Sequence, residues 1–128
     1  MEAFASETSE GSTLLSATHR GSTDGVMATF YIGTYDISDP EQFQKYPPLV
    51  MALLPKYGGE VLASDTNAFV VEGAKRTMNA IIRFPSKEAA LGLYNDPDYQ
   101  EAKRIRQAST KNISMVLVEE FKTPTPSK

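Results

Sequence analysis

An α+β domain built on a four-stranded antiparallel sheet, with its helices on one face, is what this sequence predicts. Three observations carry that prediction. Residues 28–37, ATFYIGTYDI, form a β-branched and aromatic run that stops at the cap-type residues Ser38 and Asp39. Gly58 and Gly59 punctuate the middle of the chain, between a helical apolar stripe and new strand-type segments. The stretch from Phe84 to Arg106 then encodes a strand end, a turn, a helix, a proline break and a second helix. The resulting order, β-α-β-β-α-β, is the ferredoxin-like pattern.

Each element has its own local reason. Gly33, inside the first strand, signals a bend or a close approach of another group. Asp39 caps a helix and Pro40 takes its first position, where a missing N–H costs nothing. Phe43, Tyr46, Val50, Leu53 and Leu54 recur at three-to-four spacing, the stripe by which a helix packs on a sheet. Pro47 and Pro48 interrupt that helix, because proline lacks a donor and clashes with the preceding turn, so a kink and two helical pieces are expected. Pro55 adds a second irregularity, and Gly58-Gly59 closes the element as a C-terminal cap.

Strand segments are expected next at EVLAS (60–64) and AFVVEG (68–73), with a turn at Asp65-Thr66-Asn67 between them. A further strand is expected at TMNAIIRF (77–84). Ser86 caps the helix KEAALGLYND, and Asp96-Pro97 ends it and starts the next. Alternating residues from Ile113 to Phe121 read as the last strand, and residues 122–128 as a loose tail. With both helices on one face, the opposite sheet face keeps apolar side chains exposed, which points to a homodimer in which such faces meet.

Composition narrows the functional classes. A chain of 128 residues fits one domain, here placed at residues 27–121. Residues 1–26 are rich in Ser, Thr and Gly with one apolar pair, Leu14-Leu15, and read as a disordered tail. Met27, directly before the first strand, is a candidate initiator, the tail then being an added leader. The net charge of −3 resides in that tail, and residues 27–128 are neutral. Neutrality argues against nucleic acid as a partner, since phosphate binding needs several cationic contacts. No secretory leader and no apolar run of about 20 residues is present, so a cytoplasmic protein without membrane contact is expected.

Chemistry must come from a short inventory. There is no cysteine, and the single histidine, His19, lies in the tail. Thiolate and imidazole chemistry are thereby excluded from the domain, no metal site is expected, and no glycine-rich motif suggests a nucleotide cofactor. Glu72 follows the apolar run Phe69-Val70-Val71 and is the candidate proton-transfer group, placed at the mouth of an apolar sheet; the alternative is an ion pair with Lys75 or Arg76. Arg83 shares a strand face with Asn79 and Ile81 and is the second catalytic candidate, the alternative being a solvent-facing edge. Tyr31 and Tyr35 share a face of the first strand, with Asp36 at its end as a turn-former or a ligand contact. Tyr99 and Arg106, seven apart, project to one side of the last helix with Lys103 between them. That set suits an anionic or carbonyl-bearing ligand, or else anchors the helix C-terminus.

The spacing of Asp39-Pro40, Tyr46, Gly58-Gly59, Glu72-Gly73, Phe84-Pro85-Ser86, Ala89, Tyr94, Pro97, Tyr99, Ala102 and Arg106 resembles the bacterial family catalogued as domain of unknown function 1330. The resemblance runs through residues 29–119 and departs at Leu93, where the family commonly has an aromatic, and at Asp96, where it has serine. It implies a dimeric α+β barrel, with a cavity between sheet and partner and with Tyr94 among the ligand contacts. It transfers a fold and not a reaction. Two functions stay open: a cofactor-independent enzyme acting on a small apolar carbonyl or aromatic metabolite, and a non-catalytic dimer that binds a small molecule or accompanies a pathway.

Overall fold

The computed structural model describes residues 27–122. The expected tail over residues 1–26 and the C-terminal tail beyond Lys122 lie outside the described residues. Strand β1 (Thr29–Ile37) is followed by two short helices, α1 (Pro40–Phe43) and α2 (Tyr46–Leu53), and a 3₁₀ turn over Leu54–Tyr57. Strands β2 (Glu60–Asp65) and β3 (Met78–Phe84) lead to α3 (Lys87–Tyr94), a 3₁₀ turn over Pro97–Tyr99, α4 (Gln100–Ser109) and β4 (Thr110–Glu119). The sheet order is β2-β3-β1-β4, antiparallel throughout, as the βαββαβ reading requires.

Local chemistry explains the boundaries. The Asp39 carboxylate accepts from the Gln42 N–H to start α1. The helix then breaks at Gln44 and Lys45, just before the prolines, and restarts with Pro47 and Pro48 in its first turn. The first turn is where proline's missing donor is harmless, so the expected kink becomes a clean restart. Gly58, at φ 69°, and the bond from Gly59 N–H to the Leu54 carbonyl (2.9 Å) close the 3₁₀ turn in a left-handed cap.

Two strand boundaries differ from expectation. The last strand begins at Thr110 rather than Ile113, because Asn112 adopts φ 57° and the β1–β4 register shifts between Thr34 and Asp36. An asparagine tolerates that conformation, and the extra residue is absorbed as a bulge instead of a turn. The segment AFVVEG is not a strand. Both edges of β3 are taken by β1 and β2, so the chain returning between them finds no free edge on β3. Phe69 and Val71 consequently stand 90% and 89% exposed in a loop closed by Lys75 Nζ on Asn67 Oδ1 at 2.9 Å. A β-branched run is a strand only when a neighbour exists.

The core lies on the helix-bearing side of the sheet. Tyr35, Met78 and Phe84 pack there against Phe43, Leu54 and Ala102. On the other side the register aligns Ile32 with Ile81 and Val116, and Phe30 with Val118, forming an apolar face across three strands. Val116 and Val118 are 47% and 43% exposed on it. Among the described residues, no helix is long and apolar enough to cross a membrane.

Asp96 ties the two halves of the helical layer together. Its buried carboxylate accepts from the Tyr57 hydroxyl, from Lys56 Nζ at 2.9 Å and from the Asp98 N–H at 2.7 Å. Those donors, the Tyr57 hydroxyl first, hold its carboxyl down at about 2, below the ordinary 3.8. The ionised form therefore contributes stability above the ordinary value, and the contribution is lost as pH falls through about 2. Asp96→Asn is expected to lower the melting temperature at neutral pH, with the gap to the parent closing as pH falls through that window. Thermal melts across the acid range check this, and a gap independent of pH would contradict it.

Candidate functional site

A cavity of about 340 Å³ opens between the sheet and the helices. Its polar atoms come almost entirely from tyrosines. On β1 the two-residue period sends Tyr31, Gly33 and Tyr35 towards the helices, and the Tyr31 ring lies across Gly33. A Cβ at position 33 would come within 2.5 Å of the Tyr31 hydroxyl oxygen, so the glycine makes room for that ring. Tyr46, in the first turn of α2, Tyr94, at the end of α3, and Tyr99, before α4, complete the set. Val50, Ile82, Met115 and Leu117 supply hydrocarbon walls, and the half-exposed Leu91 and Tyr94 mark the rim. Among the described residues, neither a carboxylate nor a histidine lines this cavity.

Beneath the tyrosines sits Arg106, only 2% exposed. Its guanidinium lies close to Tyr99, and its Cζ is 6.0 Å from the centre of the Tyr46 ring. The Tyr46 and Tyr99 hydroxyl oxygens are 2.7 Å apart, and their rings meet edge-on at 6.3 Å. The pair has two phenol protons for one phenol–phenol bond, which leaves one O–H free to donate, whichever ring holds it. Burial raises the Tyr31, Tyr35 and Tyr46 phenols well above their ordinary range, with the nearby guanidinium opposing the shift at Tyr31 and Tyr35. The cavity thus offers neutral donors over a positive charge. Such a lining can meet an acceptor oxygen on an otherwise apolar molecule.

A family model, domain of unknown function (DUF1330), matches residues 28–121. The chain belongs to this family. The DUF1330 match spans all four strands and the whole tyrosine set. Among solved structures, a protein of unknown function from Rhodopseudomonas palustris is similar, with 18% identity, 86% of this chain and 94% of that one covered, and a TM-score of 0.68. A dimeric ferredoxin-like protein of unknown function from Jannaschia sp. CCS1 is 17% identical over 71% of this chain and 97% of its own, at TM-score 0.61. A dimeric protein of unknown function and ferredoxin-like fold from Bacteroides fragilis is 12% identical over 72% and 95%, at 0.53. These likenesses show the fold. No curated protein matches the DUF1330 chain.

The structure sorts the sequence candidates by place. Tyr31, Tyr35, Tyr94 and Tyr99 line the cavity, and Arg106 lies directly behind it. Arg106 does not serve as the helix anchor; the Ser109 and Thr110 hydroxyls bond the last carbonyls of α4 instead, each at 2.6 Å. Lys103 stands at the rim, with Nζ 3.8 Å from the centre of the Tyr94 ring. Asp36 is outside, accepting from Asn112 Nδ2 at 2.8 Å and the Thr77 N–H at 3.1 Å, and so pins the β4 bulge to the start of β3. Arg83 pairs with Phe30 and Glu60 and projects from the opposite sheet face with Asn79 and Ile81. Glu72 stands exposed in the β2–β3 loop, far from the sheet mouth expected for it, because its segment is not a strand. Within one chain this space lies under the helices, on the side of the sheet away from the open face.

In the sequence Tyr46 stood out as part of the apolar stripe and of the family spacing, not as a cavity residue. Its two neighbouring prolines, which fix it in the first turn of a restarted helix, are the signal that would have singled it out. Tyr46→Phe removes one member of the buried hydroxyl pair and is expected to cost about 1 kcal/mol. Of the six tyrosines, Tyr31, Tyr35 and Tyr46 are expected to ionise well after the ordinary phenol midpoint of about pH 10. Ultraviolet titration of the folded protein checks this, and a single transition of all six near that midpoint would contradict it.

Proposed function

We propose that this chain is a homodimeric small-molecule-binding protein, each subunit holding a mostly apolar ligand with one acceptor oxygen in the tyrosine-lined cavity. The observation that carries this reading is the cavity itself: about 340 Å³ of hydrocarbon-walled space with a spare phenol donor on its floor. A volume of this size falls at the lower end of typical ligand sites. The same donors would polarise a bound carbonyl. However, among the described residues no carboxylate or histidine lines the space to remove a proton, and Glu72 and Arg83 stand elsewhere. Binding without turnover is therefore preferred over a cofactor-independent reaction.

The homodimer rests on the open sheet face. Ile32, Ile81, Val116 and Val118 form an apolar surface that water would disfavour, and the similar proteins from Jannaschia and Bacteroides are dimeric. A second copy of the same face is the simplest cover for it.

Native mass spectrometry of protein purified gently from its own host, followed by calorimetric titration with acetophenone, tests the reading. A dimer that retains a small-molecule mass or takes up acetophenone is expected. Leu91→Trp, at the half-exposed rim, is expected to weaken that uptake by at least about tenfold, or about 1.4 kcal/mol. An empty protein with no uptake would overturn the cavity assignment. Separately, Ile32→Asp is expected to yield a monomer in light scattering, and an undisturbed dimer would move the interface elsewhere.

A further inference from the structure

Among the described residues, the charge beneath the cavity has no counter-ion. Arg106 is 2% exposed, its Nε has no hydrogen-bond partner among the described residues, and the groups beside its guanidinium are the tyrosines Tyr99 and Tyr46. Arginine does not lose its proton at any physiological pH, so burial cannot neutralise it. Among the described residues, the carboxylates that form ion pairs are committed elsewhere: Asp96 to Lys56, Asp36 to Arg76 and Glu101 to Arg104. A buried cation without an anion is costly, and such groups are normally paired. Phenols satisfy a donor but carry no compensating charge. Tyr46 and Tyr99 stand beside this guanidinium and also line the cavity, and their pair has a spare O–H to donate there. A second cation, Lys103, stands over the ring of Tyr94 at the rim.

We infer that the cavity takes its ligand as an organic anion, a small monocarboxylate whose hydrocarbon fills the apolar space and whose charge compensates Arg106. This rests on the ligand-binding reading above and narrows it to a class. The carboxylate accepts the free phenol proton of the Tyr46–Tyr99 pair and lies in the field of the guanidinium behind it. An ionised acceptor makes a stronger hydrogen bond than a neutral one. Size sets a further limit. At about 30 Å³ for each water-sized group, the space holds on the order of ten non-hydrogen atoms, the size of an aryl-acetic or medium-chain fatty acid.

The test compares acid with amide on the unaltered protein, because the two differ in charge and hardly in shape. Phenylacetate and octanoate are titrated calorimetrically against phenylacetamide and octanamide at neutral pH. At least one acid is expected to bind about tenfold or more tighter than its amide. Arg106→Gln is expected to abolish that preference, and Arg106→Lys to restore part of it. Equal affinities for acid and amide would overturn the anion inference and leave the ligand-binding reading standing. No binding of any of the four probes, or of acetophenone, would overturn both. A preference that survives Arg106→Gln but disappears in Lys103→Gln would place charge recognition at the rim and overturn the assignment to Arg106.

Discussion

A guanidinium sealed inside a domain of this size constrains everything around it, and the position of Arg106 under Tyr99 and Tyr46 organises this structure. The charge cannot be shed, so the surrounding side chains must present oxygen to it without filling the space. Tyrosines do both, because each brings a large apolar body and a hydroxyl tip. Three separate elements converge to supply them: the first turn of α2 brings Tyr46, the 3₁₀ turn before α4 brings Tyr99, and β1 brings Tyr31 and Tyr35. The restart of the helix at Pro47-Pro48 and the Asp96 cap before Pro97 are the local devices that fix the first two. Gly33 makes room for the Tyr31 ring on the strand.

The sheet divides the molecule into two chemically distinct sides. Its inner face meets the helices, and the phenols leave a cavity there because rigid aromatic rings bridge the gap without collapsing into it. Its outer face is aliphatic and flat, suited to a second sheet. The cavity and the exposed apolar face thus lie on opposite sides of one layer, only a strand's thickness apart. Both sides draw on alternate residues of β1: Tyr31, Gly33 and Tyr35 inward, Phe30 and Ile32 outward. A change of register by one residue would exchange the two roles.

Where local pattern and tertiary context disagreed, context prevailed for identifiable reasons. The run Phe69-Val70-Val71 has strand composition, yet it stays a loop because β3 has no free edge to offer it. With that loop, Glu72 moved from the expected sheet mouth to solvent. Arg83 fell on the outer face by the same period that put Ala80 and Ile82 on the inner one. Arg106 looked like a helix-end cation, but Ser109 and Thr110 bond the terminal carbonyls and free its side chain for the interior.

By itself the sequence determined the order of the elements, their caps and breaks, the pairing of Tyr31 with Tyr35 and of Tyr99 with Arg106 on shared faces, and the absence of thiol and imidazole chemistry from the domain. These are short-range properties, set by two-residue and 3.6-residue periods and by the backbone limits of proline and glycine. Only the tertiary structure decided that Tyr46 from one helix and Tyr99 from before another would share a hydrogen bond, and that Arg106 would lie beneath them without a carboxylate. Which side chains meet, and which charges go unpaired, depends on how helices α2 and α4 pack across the same sheet. No local period encodes that distance.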